Sequence, residues 1–325
     1  MGLQIALLVG SLVVLTVGAE LLVRGAVALA VRLGVSALAV GLTVVAFGTS
    51  TPELVVTLRA ASVGSAAIAV GNVVGSNICN IALILGLGAL IRPPSVHAKV
   101  FRIDAPVLVV ASVVVAVLLS GIGISRVAGV VLLAALALFT AVALRHARNE
   151  SSDVKGEFDD AIGDAIGTRS VWLGWSILQV SAGLALLMAG GSILVAAAVT
   201  IATTLGVSEA VIGLTIVAVG TSLPELAATV VAAVRGQGDI AVGNVVGSNI
   251  FNLLGIVGAG AVVAPIGAGA LPVADLWFMV ALAVVLIPIA RTGFTVSRIE
   301  GALLLTVYGG YIAWLIGTAG ASPIV

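Results

Sequence analysis

The chain has 325 residues, of which 61% are hydrophobic and only 9% are charged. A soluble domain of this length carries far more charge, and a net charge of zero argues against nucleic acid as a partner. The only cysteine, Cys79, excludes an intramolecular disulfide framework. Long apolar runs, broken by glycine and by short charged stretches, predict instead an all-α membrane protein with several spanning helices.

Taken in chain order, the apolar segments each approximate the roughly 20 residues that cross a bilayer. The ten predicted segments are 3–23, 36–61, 66–91, 105–119, 127–144, 171–195, 209–234, 240–264, 273–290 and 299–316. The chain begins without the basic residues of a signal peptide, so the first segment is predicted to be a spanning helix.

The distribution of lysine and arginine orients these segments. Twelve of the 14 basic residues fall in or beside odd-numbered loops, and only Arg59 and Arg126 lie on the other side. Because basic residues concentrate on the cytoplasmic side of a membrane, this pattern predicts that both termini lie outside. The central loop is then cytoplasmic, in a multi-pass protein of the cell membrane.

Two motifs occur twice at one constant offset. GTSTPE at 48–53 returns as GTSLPE at 220–225, and IAVGNVVGSNI at 68–78 is repeated letter for letter at 240–250 (240 − 68 = 172). Each copy contains five predicted segments, and an odd number inserts the second copy in the opposite direction. The pattern therefore predicts an inverted repeat, which is typical of secondary transporters. A duplicated scaffold without transport is the alternative, but the most similar stretches are polar ones at membrane depth.

These repeats divide the chain into three parts. Residues 1–146 form the first five-helix repeat, and residues 171–325 form the second, inverted one. Residues 147–170, which are rich in acidic and small residues, form a cytoplasmic linker.

Each GTS-x-PE motif places one glutamate inside an apolar segment, where a carboxylate is costly and indicates a functional site. On the second segment the candidate ligands recur at spacings of three and four and so share one helix face. They are Ala46, Thr49, Ser50 and Glu53. Pro52 cannot donate to the helix ladder and is predicted to open the chain near Gly48, which frees carbonyl oxygens. Such an all-oxygen set suits Ca²⁺ and Na⁺.

The other repeated segments complete this candidate site. The matching face of the seventh segment carries Ala218, Thr221, Ser222 and Glu225. The third and eighth segments add Ser76, Asn80, Ser248 and Asn252. Four further asparagines either bind the cation or join helices by hydrogen bonds, and these are Asn72, Asn77, Asn244 and Asn249. The glycine pairs at 71 and 75 and at 243 and 247 predict close helix approach.

The repeated blocks resemble the paired α-repeats of the Ca²⁺/cation antiporter superfamily, and specifically those of its Na⁺/Ca²⁺ exchanger branch. The resemblance covers nearly the whole chain and implies that Glu53 and Glu225 are central ligands shared by Ca²⁺ and Na⁺. It further implies that the threonines and serines supply hydroxyl or backbone oxygens, and that Ala46 and Ala218 offer carbonyls to Na⁺. The proton-coupled branch resembles GN-x-TE where this chain has GTS-x-PE, which favours Na⁺ as counter-ion.

The expected function is secondary active antiport of Na⁺ and Ca²⁺ by alternating access, without an enzyme activity or a cofactor. The partners are then the two transported ions and the lipid bilayer, with the protein acting as a monomer. Protons are expected to compete for the site, because two glutamates in one cavity repel each other unless a cation or a proton intervenes. An H⁺/Ca²⁺ antiporter on the same scaffold and a cation channel are the alternatives.

Overall fold

The structure, a computed structural model, describes residues 2–96, 100–149, 173–205, 218–291 and 293–321. These ranges are helical, and apart from two isolated β-bridges they form no strand. The predicted linker lies outside the described residues from position 150 onwards, as do the first residues of the predicted segment 209–234.

The helices follow one another with short connections. In chain order they are α1 (Gly2–Leu33), α2 (Ala37–Thr49), α3 (Thr51–Ser62), α4 (Ala66–Ile91), α5 (Ala105–Gly121), α6 (Arg126–Asn149), α7 (Leu173–Thr204), α8 (Ala218–Thr221), α9 (Leu223–Val234), α10 (Gly238–Val263), α11 (Val273–Arg291) and α12 (Arg298–Ala321).

Every predicted apolar segment is helical where the structure describes it. By length and composition, seven helices in the described ranges can cross a membrane, or eight when α2 and α3 are counted as one broken span. The helices α9 and α11 are apolar but shorter. The prediction of an all-α, polytopic membrane protein is thus confirmed at this level.

Two helices extend furthest past their predicted ends. The first predicted segment ends at residue 23, whereas α1 continues to Leu33 and therefore contains Arg24. Arg24 remains in the helix because its Nε donates to Glu20 Oε1, one turn earlier, at 2.5 Å. Helix α7 continues past residue 195, where the sixth predicted segment ends, and reaches Thr204, since no glycine or proline interrupts residues 196–204.

These two long helices pack against each other along their length. Their approach is so close that a Cβ atom on Gly183 would lie 2.6 Å from the backbone nitrogen of Leu22. They flank a central group in which α2 and α9 pack against α10 and α3 packs against α4. The tenth helix lies at the centre of this group, with every residue from 240 to 250 buried.

Wide π-helical turns interrupt the central helices, and the sequence analysis did not predict them. They occupy Gly41–Val45 in α2, Cys79–Leu85 in α4 and Phe251–Ile256 in α10. A π-turn shifts the register of the side chains that follow, and such turns are frequent at functional sites. The turns in α4 and α10 hold Asn80 and Asn252, two of the predicted ligands.

Candidate cation site

The chain breaks at the serine of each GTS-x-PE motif. Ser50 separates α2 from α3, whose axes differ by 46°, and Pro52 lies in the first turn of α3. Ser222 separates α8 from α9 in the same way, with Pro224 in the first turn. The Ala46 carbonyl, which we expected to be free, accepts the backbone N–H of Ser50 at 3.1 Å, because one helical hydrogen bond bridges the break.

The two glutamates are buried and are linked by crossed hydrogen bonds. Glu53 is 0% exposed and Glu225 is 1% exposed. The hydroxyl of Ser222 donates to Glu53 Oε1 at 3.0 Å, while the hydroxyl of Ser50 donates to Glu225 Oε1 at 2.8 Å. Each motif therefore supplies a hydroxyl to the carboxylate of the other.

The serines of α4 and α10 also face this region, although in different ways. Ser76 donates its hydroxyl to Glu53 Oε1 at 3.5 Å. Its repeat equivalent, Ser248, donates instead to the Ala46 carbonyl at 3.4 Å. Thr49 donates to Asn244 Oδ1 at 3.1 Å.

Two predicted ligands of the second repeat lie less centrally. Thr221 is half-buried beside a cavity, and Ala218 begins α8 at the edge of the described residues.

The two predicted asparagine ligands are held by the neighbouring asparagines. Asn80 donates its amide to Asn249 Oδ1, and Asn252 donates its amide to Asn77 Oδ1, both at 3.0 Å. Asn77 and Asn249 in turn donate to each other's backbone carbonyls, at 3.3 and 3.5 Å. This reciprocal set fixes Asn77 and Asn249 as positioning residues between α4 and α10.

The remaining asparagines support the glutamates from behind. Asn72 donates to the Glu53 carbonyl and to Thr57 Oγ1, both at 3.0 Å. Asn244 donates to the Glu225 carbonyl at 3.2 Å and to Thr229 Oγ1 at 2.9 Å. The sequence did not lead us to predict a role for Thr57 and Thr229. Each stands four residues after one of the glutamates, and the two differ by the repeat offset (229 − 57 = 172).

Four buried oxygens of this region accept no hydrogen bond from any described residue: Glu53 Oε2, Glu225 Oε2, Asn80 Oδ1 and Asn252 Oδ1. A buried acceptor without a partner costs about 1–3 kcal/mol, and a bound cation would offset that cost. All four are hard oxygen ligands, which suit Ca²⁺ or Na⁺. The described ranges contain no cluster of three or more His, Cys, Asp or Glu residues, so neutral oxygens would complete a coordination shell.

Glu20 takes no part in this arrangement. Its carboxylate pairs with Arg24 and also with Arg235, which follows α9. The ion pair ties α1 to the end of α9, away from the two central glutamates.

The duplicated glycines test the predicted close helix approach in one half of the chain. A Cβ atom on Gly243 would lie 2.9 Å from the Leu38 carbonyl oxygen, and one on Gly247 would lie 2.5 Å from that of Leu42. Close approach is therefore confirmed for α10, which lies against α2. On α4, no described atom lies within 4 Å of a Cβ placed on Gly75, and Gly71 meets only a leucine methyl at 3.7 Å. For this pair the prediction is not tested, because positions 210 and 214, which correspond to Leu38 and Leu42 at the repeat offset, lie outside the described residues.

Apolar helices around a buried pair of acids define an integral membrane protein of the transporter class. The family described as sodium/calcium exchanger protein matches residues 3–145 and, a second time, residues 175–317. The chain belongs to this family, whose members are exchangers and not enzymes. The resemblance found in the sequence is thereby confirmed.

Individual relatives agree with this assignment. The protein CaxA of Alkalimonas amylolytica is 37% identical over 313 residues, which cover 94% of this chain and 96% of the relative. Sodium/calcium exchanger MaX1 of Methanosarcina acetivorans is 32% identical over 342 residues, with 94% and 96% covered. The structure of the sodium-calcium exchanger NCX_Mj, soaked with zero Na⁺ and Ca²⁺, superposes with a TM-score of 0.82 at 30% identity, covering 96% of this chain and 99% of that one.

Proposed function

We propose that this exchanger moves Na⁺ and Ca²⁺ in opposite directions by alternating access, through one site centred on Glu53 and Glu225. The observation that carries the proposal is the crossed pair of Ser–Glu hydrogen bonds, which leaves one carboxylate oxygen of each glutamate without a donor. Membership of the family supports exchange of Ca²⁺ for another cation. The likeness to MaX1 and NCX_Mj, both named sodium–calcium exchangers, favours Na⁺ as that cation.

The site would bind either ion through the same oxygens. Around the two carboxylates, hydroxyl, amide and carbonyl oxygens come from Thr49, Thr221, Ser50, Ser222, Ser76, Ser248, Asn80, Asn252, Ala46 and Ala218. One Ca²⁺ balances the two negative charges, and so do two Na⁺ ions. A third Na⁺ would leave a positive complex, and transport would then respond to membrane voltage by about 2.3 kcal/mol per charge per 100 mV.

The architecture that we propose has ten spanning helices in two inverted repeats, 1–146 and 171–325, joined by the cytoplasmic linker 147–170. Its support is the reciprocity of the contacts: Ser50 and Ser222, Asn72 and Asn244, and Asn80 and Asn252 make matching bonds at the offset of 172 residues. A site at the junction of two such repeats is typical of secondary transporters. Both termini then lie outside the cell membrane, as the basic residues indicate.

A flux assay with the purified protein in liposomes tests the coupling ion. With pH equal on both sides, an outward Na⁺ gradient is expected to drive ⁴⁵Ca²⁺ uptake, and replacing the internal Na⁺ by choline is expected to abolish it. Uptake driven by a proton gradient alone would instead support the H⁺/Ca²⁺ alternative. Uptake that needs no counter-ion on the opposite side would identify a channel.

A further inference from the structure

A cavity of about 410 Å³ opens between α4, α11 and α12. It extends from Ile68, in the first turn of α4, and Leu271, which precedes α11, to Asn72 and Thr221, which belong to the repeated motifs. Its only acidic lining residue among those described is Asp275. The cavity therefore joins a carboxylate outside the central site to the residues that surround that site.

The Asp275 carboxylate is held in a defined position. Tyr311 donates its hydroxyl to Asp275 Oδ1 at 3.0 Å, and the Tyr311 ring stacks on Phe278 with centroids 4.6 Å apart. Within the described part of the chain, no basic side chain forms an ion pair with Asp275. Asp275 lies in the first turn of α11, where an acid stabilises the helix dipole. Asp275 is also 6% exposed and lines the cavity, so its carboxylate can meet an ion there as well.

The equivalent region of the other repeat is closed. Asp104, which precedes α5 as Asp275 begins α11, is 0% exposed. Where α4 has Cys79 beside the cavity, α10 has Phe251, whose ring stacks on Phe47 with centroids 4.4 Å apart. The open cavity and its acid therefore belong to one face of the protein.

We propose that Asp275 is the residue that captures cations on their way to the central site, with Tyr311 positioning its carboxylate. A negative charge in a cavity with apolar walls focuses the electric field and raises the local concentration of cations. Asp275 then increases the rate at which Ca²⁺ and Na⁺ reach Glu53 and Glu225 without being one of their final ligands. This inference rests on the proposed function.

The test measures initial rates of Na⁺-driven ⁴⁵Ca²⁺ uptake into liposomes over a range of external Ca²⁺. Asp275→Asn keeps the shape of the side chain and removes its charge. At low ionic strength we expect the half-saturating Ca²⁺ concentration to rise about ten-fold, the lower end of electrostatic focusing, with the maximal rate nearly unchanged. The difference should shrink as choline chloride is added, because salt screens the field.

Three further variants separate capture from a structural role. Asp239→Asn makes the same change in the first turn of α10, away from the cavity, and should leave the half-saturating concentration at the wild-type value. Asp275→Glu should restore it, and Tyr311→Phe should raise it by a smaller factor because the charge remains. Tyr311→Phe also decides the question if Asp275→Asn fails to fold.

The results distinguish a failure of the inference about Asp275 from a failure of the proposed function. The inference is overturned if Asp275→Asn changes only the maximal rate, or if its half-saturating concentration equals the wild-type value at every ionic strength. For Tyr311→Phe, an unchanged half-saturating concentration has the same consequence. Absence of Na⁺-driven uptake by the wild-type protein would instead refute the proposed function.

Discussion

Thr57 supports the site from one turn behind Glu53. Its hydroxyl accepts the amide of Asn72, which also holds the Glu53 carbonyl, and donates to the Ala69 carbonyl at 3.4 Å. Thr229 accepts the amide of Asn244 in the same way. These hydroxyls fix the residues that carry the carboxylates, so their contribution is to the folded structure around the site.

Thr57→Val, a change of nearly equal volume, should therefore destabilise the protein. Removal of the acceptor leaves the half-buried amide of Asn72 with one partner fewer, which costs about 1 kcal/mol. The expected result is a lower Tm in detergent micelles. Thr16→Val is the matched control, because the Thr16 hydroxyl is exposed and bonds only its own helix at Leu12. Equal Tm values for the two variants would refute the supporting role of Thr57.

For single residues, the spacing in the sequence was sufficient to identify candidate ligands, but not to show which of them form hydrogen bonds with each other. The helical period placed Ser50 and Glu53 on one face, and the structure buries both. It could not show that Ser50 bonds Glu225 rather than Glu53, because that contact depends on how the two halves of the chain face each other. Thr57 shared the same face and the same offset, so the repeat already contained the signal that would have found it.

At the scale of single elements, the identical stretches in α4 and α10 have different surroundings. Ser76 donates its hydroxyl to Glu53 Oε1, whereas Ser248, its equivalent, donates to the Ala46 carbonyl. A prediction from the local sequence alone must treat these two stretches alike, because their residues are identical. The same limit explains why the lengths of α1 and α7 and the π-turns were missed, since each depends on packing between helices.

A matched pair of alanine substitutions tests the packing of α10 against α2. In Gly247→Ala the new methyl group would lie 2.5 Å from the Leu42 carbonyl oxygen, so α2 must shift at a cost of about 1–3 kcal/mol. In Gly10→Ala, at an exposed position of α1, no described atom lies within 4 Å, and alanine favours the helix by up to about 1 kcal/mol. We expect a lower Tm for the first variant and an equal or higher Tm for the second. The opposite order would contradict the packing of α10 against α2.

At the scale of the whole molecule, neither half of the chain contains a complete site. Glu53 receives a hydroxyl from Ser222 of the second half, and Glu225 receives one from Ser50 of the first. A relative movement of the halves would therefore alter every contact of the carboxylates together. In alternating access, as we propose it, the cavity beside α4 would close while a cavity opened at the matching position beside α10.

Equilibrium binding of ⁴⁵Ca²⁺ to the purified protein decides whether Glu53 and Glu225 bind one cation between them. Wild-type protein should bind Ca²⁺, and Na⁺ or acid should displace it. Glu53→Gln and Glu225→Gln should each weaken binding by at least about 100-fold, because half of the charge that balances Ca²⁺ is lost. Glu300→Gln, at the start of α12, should bind as the wild type does. Unchanged binding in both central variants, or Ca²⁺ that Na⁺ cannot displace, would contradict a shared site at Glu53 and Glu225.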